Sequence, residues 1–155
     1  MKRKIIIVSI ILIIVILVYL FTFRKEKNIT DIKAFSFYYT TGTEMFSNVS
    51  YKVTCETSRC TAIIKPNEVP DTETKTIETD LTVKEKIKKV LKKYHVEKWD
   101  NFNKIDKHAL DGNSFKLNVT MEKESLSASG YMKYPKNYKE FSDEIDAIFL
   151  EIYKK

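Results

Sequence analysis

The chain has 155 residues, of which 43% are hydrophobic and 31% charged, and its formal net charge is +6. The basic excess lies mostly in residues 1–27, which hold six Lys or Arg and one Glu, so the rest carries 21 basic against 20 acidic residues. That remainder is long enough for one hydrophobic core, and its near-neutral charge argues against a nucleic-acid partner.

An uncharged apolar run from Ile5 to Phe23 predicts a membrane-spanning helix. The run contains no Pro or Gly, and at about 1.5 Å per residue it would cover roughly 28 Å, close to the ~30 Å hydrocarbon core of a bilayer. A cleaved signal peptide is the alternative, but its apolar core would be about 7–15 residues long and would end at a small-x-small site. No such site follows Phe23, so we expect an uncleaved signal anchor.

The charges that flank this run predict its orientation. Residues 1–4 carry three basic side chains and the α-amino group, whereas residues 24–27 carry three basic side chains and one acidic one. Positive flanks favour the cytoplasm, so residues 1–4 form a cytoplasmic tip at the cell membrane. We expect a polar stalk over residues 24–32 and a single extracytoplasmic domain over residues 33–155.

The first part of the domain shows strand periodicity. Residues 33–40 alternate apolar and polar side chains, and two further alternating runs, 49–55 and 60–64, flank a short turn. This hairpin would place Cys55 opposite Cys60 on one face, which predicts a disulfide suited to an oxidising compartment. Metal binding or redox exchange is the alternative, but no His lies near and the spacing is not Cys-x-x-Cys.

The remaining elements alternate between helix and strand periodicity. A weak strand signal over 74–78 precedes a helix over 83–95, with Thr82 and Glu85 spaced as a capping box. Residues 96–113 cross over irregularly, a hairpin covers 115–132, and a last helix follows Pro135 and Asn137. We therefore predict an α+β domain in which both helices pack on one face of an antiparallel sheet.

Lysines crowd the first predicted helix. The simplest interpretation is a solvated face, and the alternative is contact with anionic lipid headgroups or an anionic envelope polymer. The candidate contact residues are Lys88, Lys89 and Lys92.

No spacing of residues in the sequence indicates a metal, a cofactor or a catalytic centre. His95 and His108 lack the spacing of zinc ligands, and the chain has three glycines, too few for a phosphate-binding loop. Asp100 and Asp111 fit turn-capping roles but are also candidates for acid and base in a small envelope hydrolase.

Four short motifs connect the crossover with the second hairpin. They are Trp99-Asp100-Asn101-Phe102, Leu110-Asp111-Gly112, Ser127-Ala128-Ser129-Gly130-Tyr131 and Tyr134-Pro135. Through them, residues 91–149 resemble a domain of uncharacterised exported, membrane-anchored or lipoprotein-like proteins of Gram-positive bacteria. The resemblance implies an exported α+β domain and transfers no catalytic residue.

A shared cleft near Trp99, Asp100 and Gly130 is the candidate binding site within that segment. We expect a non-enzymatic domain that binds a protein, a peptide or an envelope component, with the hydrolase as the alternative. A deep pocket that gathers several polar groups would favour the enzyme, whereas an exposed apolar patch or sheet edge would favour binding.

Overall fold

The structure, a computed structural model, describes residues 12–16, 27–42, 48–67, 69–109 and 111–155. Residues 12–16 are helical, and the rest of the predicted anchor lies outside the described residues, as does Leu110. Among the helices that are described, none has the length and apolarity needed to cross a membrane.

A seven-stranded mixed sheet forms the body of the domain. Its strand order is β4-β3-β2-β1-β6-β7-β5. The strands are β1 (Ile32–Thr40), β2 (Asn48–Cys55), β3 (Cys60–Lys65), β4 (Lys75–Thr79), β5 (Phe102–Ile105), β6 (Ser114–Met121) and β7 (Ser125–Tyr131).

The sheet departs from the predicted antiparallel arrangement at one edge. β5 pairs with β7 in parallel, with Phe102 opposite Ala128, while the other neighbouring strands are antiparallel. β5 lies inside the predicted irregular crossover, and three of its four residues are exposed. A strand that buries only part of its first residue, Phe102, has no apolar alternation, so its pairing depends on β7 and is not visible in the local sequence.

Two α-helices, α1 (Thr82–Lys93) and α2 (Tyr138–Tyr153), supply the second layer. Phe149 of α2 stacks on Phe35 and Tyr51, and Ile87 and Leu91 of α1 belong to the same buried cluster. Alternate strand residues face this cluster while their neighbours remain more exposed. The predicted α+β class and the placement of both helices on one face are confirmed.

The beginning of α1 differs from the predicted capping box. Asp80 accepts hydrogen bonds from the backbone N–H of Thr82, at 2.8 Å, and from the Thr82 hydroxyl. The cap therefore lies two residues before Thr82, and these bonds lower the pKa of the Asp80 carboxyl. The predicted capping box and the observed cap both start the helix at this point. In the structure, however, the free backbone N–H at the helix start is capped by the Asp80 carboxylate and not by the Thr82 hydroxyl.

The disulfide joins Cys55 at the end of β2 to Cys60 at the start of β3, which confirms the predicted pairing. The two residues are direct cross-strand partners in the β2–β3 ladder. A loop this short is worth about 2 kcal/mol in the chain-entropy account of disulfide stabilisation. The bond therefore closes the β2–β3 hairpin next to its turn.

The domain begins earlier than the predicted stalk allows. Ile29 is 3% exposed and Ile32 is 1% exposed, and both belong to the core. The Lys27 ammonium lies 2.8 Å from the Asp100 carboxylate, and Thr30 donates its backbone N–H to the sulfur of Met121. Residues 27–32 therefore pack on the domain through the buried side chains of Ile29 and Ile32, while Asn28 and Thr30 stay exposed.

Candidate functional site

Asp100 and Asp111 do not meet in the structure. Asp100 pairs with Lys27 and accepts the backbone N–H of Ser127 at 3.2 Å, at the first residues of β7. Asp111 precedes β6, whose first residue, Ser114, lies opposite Tyr131 at the other end of β7. About 13 Å of strand separates Ser127 from Tyr131. The sequence-predicted acid and base pair is therefore not assembled.

The three residues of the predicted cleft also lie apart. Trp99 is 4% exposed and packs its ring against Phe141 and Tyr138 in the core. Asp100 points to Lys27 at the domain surface, while Gly130 lies in β7 opposite Phe115. Trp99 nevertheless lines a groove on its other side, and that groove is the candidate site.

This aromatic groove runs between the end of α1 and the start of α2 and holds about 330 Å³. Tyr94, Trp99, Phe102 and Pro135 form its apolar part. Its polar part consists of His95, Lys98, Lys136 and Asn137. None of the described residues that line the aromatic groove is acidic. A volume near the lower end of the range for ligand sites suits one or two rings or a short peptide segment.

Two left-handed turns shape the aromatic groove. His95 has φ 53° after α1, and Asn137 has φ 63° before α2, conformations that Asn and His adopt more readily than most side chains. The first turn reverses the chain into a 3₁₀ helix, Val96–Trp99, which carries Trp99 under the groove. The second turn follows Lys136, which also lines the aromatic groove.

The lysine face of α1 divides into paired and unpaired members. Lys84 pairs with Asp31, Lys86 with Glu151 and Lys93 with Glu144, at 2.6–2.8 Å. Of the predicted contact residues, Lys88 lies 4.0 Å from Glu85, and neither Lys89 nor Lys92 forms an ion pair with the described residues. The lysine face of α1 therefore mainly pairs with Asp31, just before β1, and with acids of α2. Its unpaired lysines, Lys89 and Lys92, lie toward the C-terminal end of α1.

The sheet face away from the helices is polar. A shallow groove of about 380 Å³ lies on this face over β5, β6 and β7, lined mainly by amide and hydroxyl side chains. These side chains bond to one another: Ser129 donates to Asn103 at 3.2 Å and Asn118 donates to Ser36 at 3.2 Å. Such a face is ordinary for an antiparallel sheet that is covered on one side.

A half-buried carboxylate, that of Asp146, lies between β1 and α2, away from the aromatic groove, and its Oδ1 atom is buried. Tyr39 donates its hydroxyl to Oδ2 of Asp146 at 2.5 Å, and Oδ1 forms no hydrogen bond with the described residues. Burial raises the pKa of Asp146, although hydrogen bonding from the hydroxyls of Tyr39 and Tyr51 acts in the opposite direction. The described residues form no group of three or more His, Cys, Asp or Glu that could hold a metal ion, so we assign the Asp146 cluster to folding and not to the candidate site.

We expect Asp146→Asn to stabilise the domain at pH 7 by about 1 kcal/mol, the order expected for a buried unsatisfied polar atom. Since folding raises this pKa, the unfolded chain releases the proton first. Stability should therefore fall as pH rises from about 3.8 through the raised folded pKa. Denaturant unfolding at pH 3 and pH 7 measures this difference. Glu140→Gln, which changes an exposed acid on the same helix that does not act on the Asp146 carboxyl, is the control. An equal pH dependence in wild type and Asp146→Asn would contradict the prediction.

Neither a known family model nor a curated protein sequence matches the chain. The resemblance of residues 91–149 to exported Gram-positive domains therefore stays a prediction.

Proposed function

We propose that the chain is a single-pass membrane protein whose extracytoplasmic domain binds an anionic glycan of the cell envelope in the aromatic groove. The observation that carries the proposal is the combination of an aromatic floor with a rim free of acidic residues. The apolar run over residues 5–23 and the Cys55–Cys60 disulfide support an anchored domain on an oxidising side of the membrane.

The floor of the aromatic groove suits a sugar ring. Tyr94 and Phe102 are half-buried where they line the aromatic groove, and Trp99 lines it while only 4% exposed, so the groove offers apolar ring surface at the domain surface. The C–H faces of a pyranose bury apolar area on such rings, while its hydroxyls stay in water. Trp99 is held by its contact with Phe141, at 5.0 Å between ring centroids, so the floor is rigid before a ligand arrives.

The rim of the aromatic groove selects negative charge. Lys136 stands on the α2 side, and His95 stands on the α1 side, where its Nδ1 lies 3.1 Å from Glu97. A carboxylate or phosphate on the sugar would meet the Lys136 ammonium without displacing an internal acid, since Lys136 forms no ion pair with the described residues. The aromatic groove is therefore a better fit for an anionic glycan than for a neutral one.

A hydrolase is the less favoured alternative. Its two proposed carboxylates lie near opposite ends of β7, and Asp100 is engaged by Lys27. A glycan-cleaving pair of carboxyl groups would need a separation of about 5–10 Å. Binding without cleavage needs only the floor and the rim.

Trp99 is the one tryptophan of the chain, so its fluorescence reports directly on the aromatic groove. The full chain in detergent or nanodiscs is titrated with a hexamer of a uronic acid and with a neutral glucose hexamer of equal length. We expect a saturable change with the acidic hexamer only. Lys136→Glu should weaken its apparent Kd by about tenfold, which corresponds to about 1.4 kcal/mol. Lys154→Glu, at the far end of α2, is the matched control and should bind as wild type.

Four results would contradict the proposal. Equal binding of the neutral hexamer would remove the role of charge, and equal effects of the two lysine variants would remove the aromatic groove as the site. Saturable binding of an acidic peptide without binding of the uronic acid hexamer would make a protein the ligand. Release of the full chain from membranes by alkaline wash would contradict the anchor.

A further inference from the structure

The folded domain begins almost directly after the predicted anchor. Lys27 bonds to the Asp100 carboxylate at 2.8 Å and also donates to the backbone carbonyl of Ser125. The core begins two residues later at Ile29. Only three residues, 24–26, separate Phe23 from Lys27 in the sequence.

This spacing limits how far the domain can stand from the bilayer. Four residue steps span at most about 14 Å when fully extended. The headgroup layer on one side of a bilayer is about 5–8 Å deep. If the chain is anchored by residues 5–23, as the proposed function requires, Lys27 lies in the headgroup layer or immediately above it.

The N-terminal segment also fixes which surface faces the bilayer. Asp31 bonds to Lys84 in the first turn of α1 at 2.7 Å, while Lys27 and Asn28 share a depression with Lys92 at the last turn. Residues 27–31 therefore run antiparallel to α1. Lys27 emerges beside the C-terminal end of that helix, where the depression holds about 420 Å³.

We infer that the domain lies directly on the membrane through this end, with phosphates of anionic phospholipids in contact with Lys89 and Lys92. The membrane-proximal surface consists of Lys27, Asn28, Lys89, Lys92 and His95. Ion pairs within the domain already neutralise Lys84, Lys86 and Lys93. Lys89 and Lys92 are both exposed and form no ion pair with the described residues, so their charges are available to a lipid phosphate.

The charge balance next to the depression supports a lipid surface and not a deep anion site. Glu97 lines the depression and lies 3.1 Å from the His95 ring nitrogen, and Asp100 offsets Lys27. Two free lysines on a rim favour a diffuse layer of negative headgroups, since contact with such a layer requires no desolvation of the internal pairs. The aromatic groove shares His95 with this depression, so it opens close to the membrane surface.

Distance to the headgroups tests the inference in the full chain. Single variants Lys92→Cys and Thr76→Cys are labelled with a fluorophore, because the native cysteines are disulfide-bonded and do not react. Thr76 lies on β4, whereas Lys27 bonds to Ser125 at the start of β7. β4 and β7 are five strand positions apart, about 24 Å along the sheet. In nanodiscs that carry a headgroup-linked quencher, we expect at least threefold stronger quenching at position 92 than at position 76. Equal quenching, or stronger quenching at position 76, would overturn the inference.

Lipid charge is tested with a label at Lys88→Cys. In phosphatidylglycerol nanodiscs, the added changes Lys89→Glu and Lys92→Glu should lower quenching at least twofold, with no such loss in phosphatidylcholine. The matched control, Lys52→Glu with Lys116→Glu on the exposed sheet face, should leave quenching unchanged. Equal quenching with and without the α1 changes in phosphatidylglycerol would overturn the role assigned to Lys89 and Lys92.

The anchor and the contact surface fail in distinguishable ways. Release of the unlabelled chain by alkaline wash would overturn the anchor and this inference together. If the chain stays in the membrane but the labels at positions 92 and 76 are quenched equally, this inference alone is overturned. Glycan binding in the aromatic groove would then still stand.

Discussion

Replacing Gly130 by alanine is expected to destabilise the domain by about 3 kcal/mol, at the upper end of the range for overpacking a close-packed site. A Cβ at this position would lie 2.0 Å from the carbonyl oxygen of Lys133 and 2.7 Å from Cε1 of Phe115. The φ angle of Gly130 is not positive, so the cost comes from these contacts and not from backbone preference. The carbonyl belongs to the backbone of the turn after β7 and cannot rotate away as a flexible side chain could.

Chemical denaturation followed by circular dichroism measures the loss. Gly42→Ala is the control, because a Cβ there meets no atom of the described structure within 4 Å and should change stability by less than about 0.5 kcal/mol. Equal midpoints for the two variants would show that the close approach at Gly130 relaxes without cost. The sequence indicates Gly130 as a candidate binding residue. The expected loss of stability in Gly130→Ala would identify its role as structural.

Phe149→Ala is expected to cost about 3–5 kcal/mol of the free energy of unfolding. The Phe149 ring is fully buried and stacks with Tyr51 at 4.4 Å and with Phe35 at 6.0 Å between centroids. It is therefore the main contact between α2 and strands β1 and β2. Truncation leaves a cavity between two aromatic rings that are themselves fixed in strands, so the site cannot collapse easily.

Leu150→Ala provides the comparison for Phe149. Leu150 follows on the same helix but is 36% exposed, so we expect a loss of less than about 1 kcal/mol. Thermal and denaturant unfolding of both variants, at the same pH and with the disulfide intact, would separate the two positions. A loss at Phe149 no larger than at Leu150 would mean that α2 is held mainly by its other contacts, such as Phe141 against Phe37.

Several elements could be predicted from the sequence because their signals are local. The alternation in β1, β2, β6 and β7 and the helical spacing in α1 and α2 reflect burial on one face, which the residues themselves encode. The weak signal over 74–78 matches β4, and the cysteines lie at facing ends of a predicted hairpin. β5 was missed because an exposed edge strand carries no such pattern.

The candidate site was only partly predictable. The sequence indicates Trp99 as a candidate binding residue, and Trp99 lines the aromatic groove, but the groove itself depends on the turns at His95 and Asn137. Asp100 and Gly130 were expected beside it because they are near in sequence or motif. Trp99 is the last residue of the 3₁₀ helix and its side chain is buried in the core. The Asp100 side chain instead faces outward to Lys27.

By itself the sequence determined the periodic elements, the disulfide and the near-neutral charge of the domain, and it predicts the membrane anchor. Only the tertiary structure decided which charges are free. Lys84 and Asp31 are 53 residues apart, and Tyr39 and Asp146 are 107 apart. Local spacing cannot specify such pairs, because they form only when the sheet order brings distant segments together. Because of that order, three of the six lysines of α1 pair with acids distant in the sequence, whereas Lys89 and Lys92 form no ion pair with the described residues.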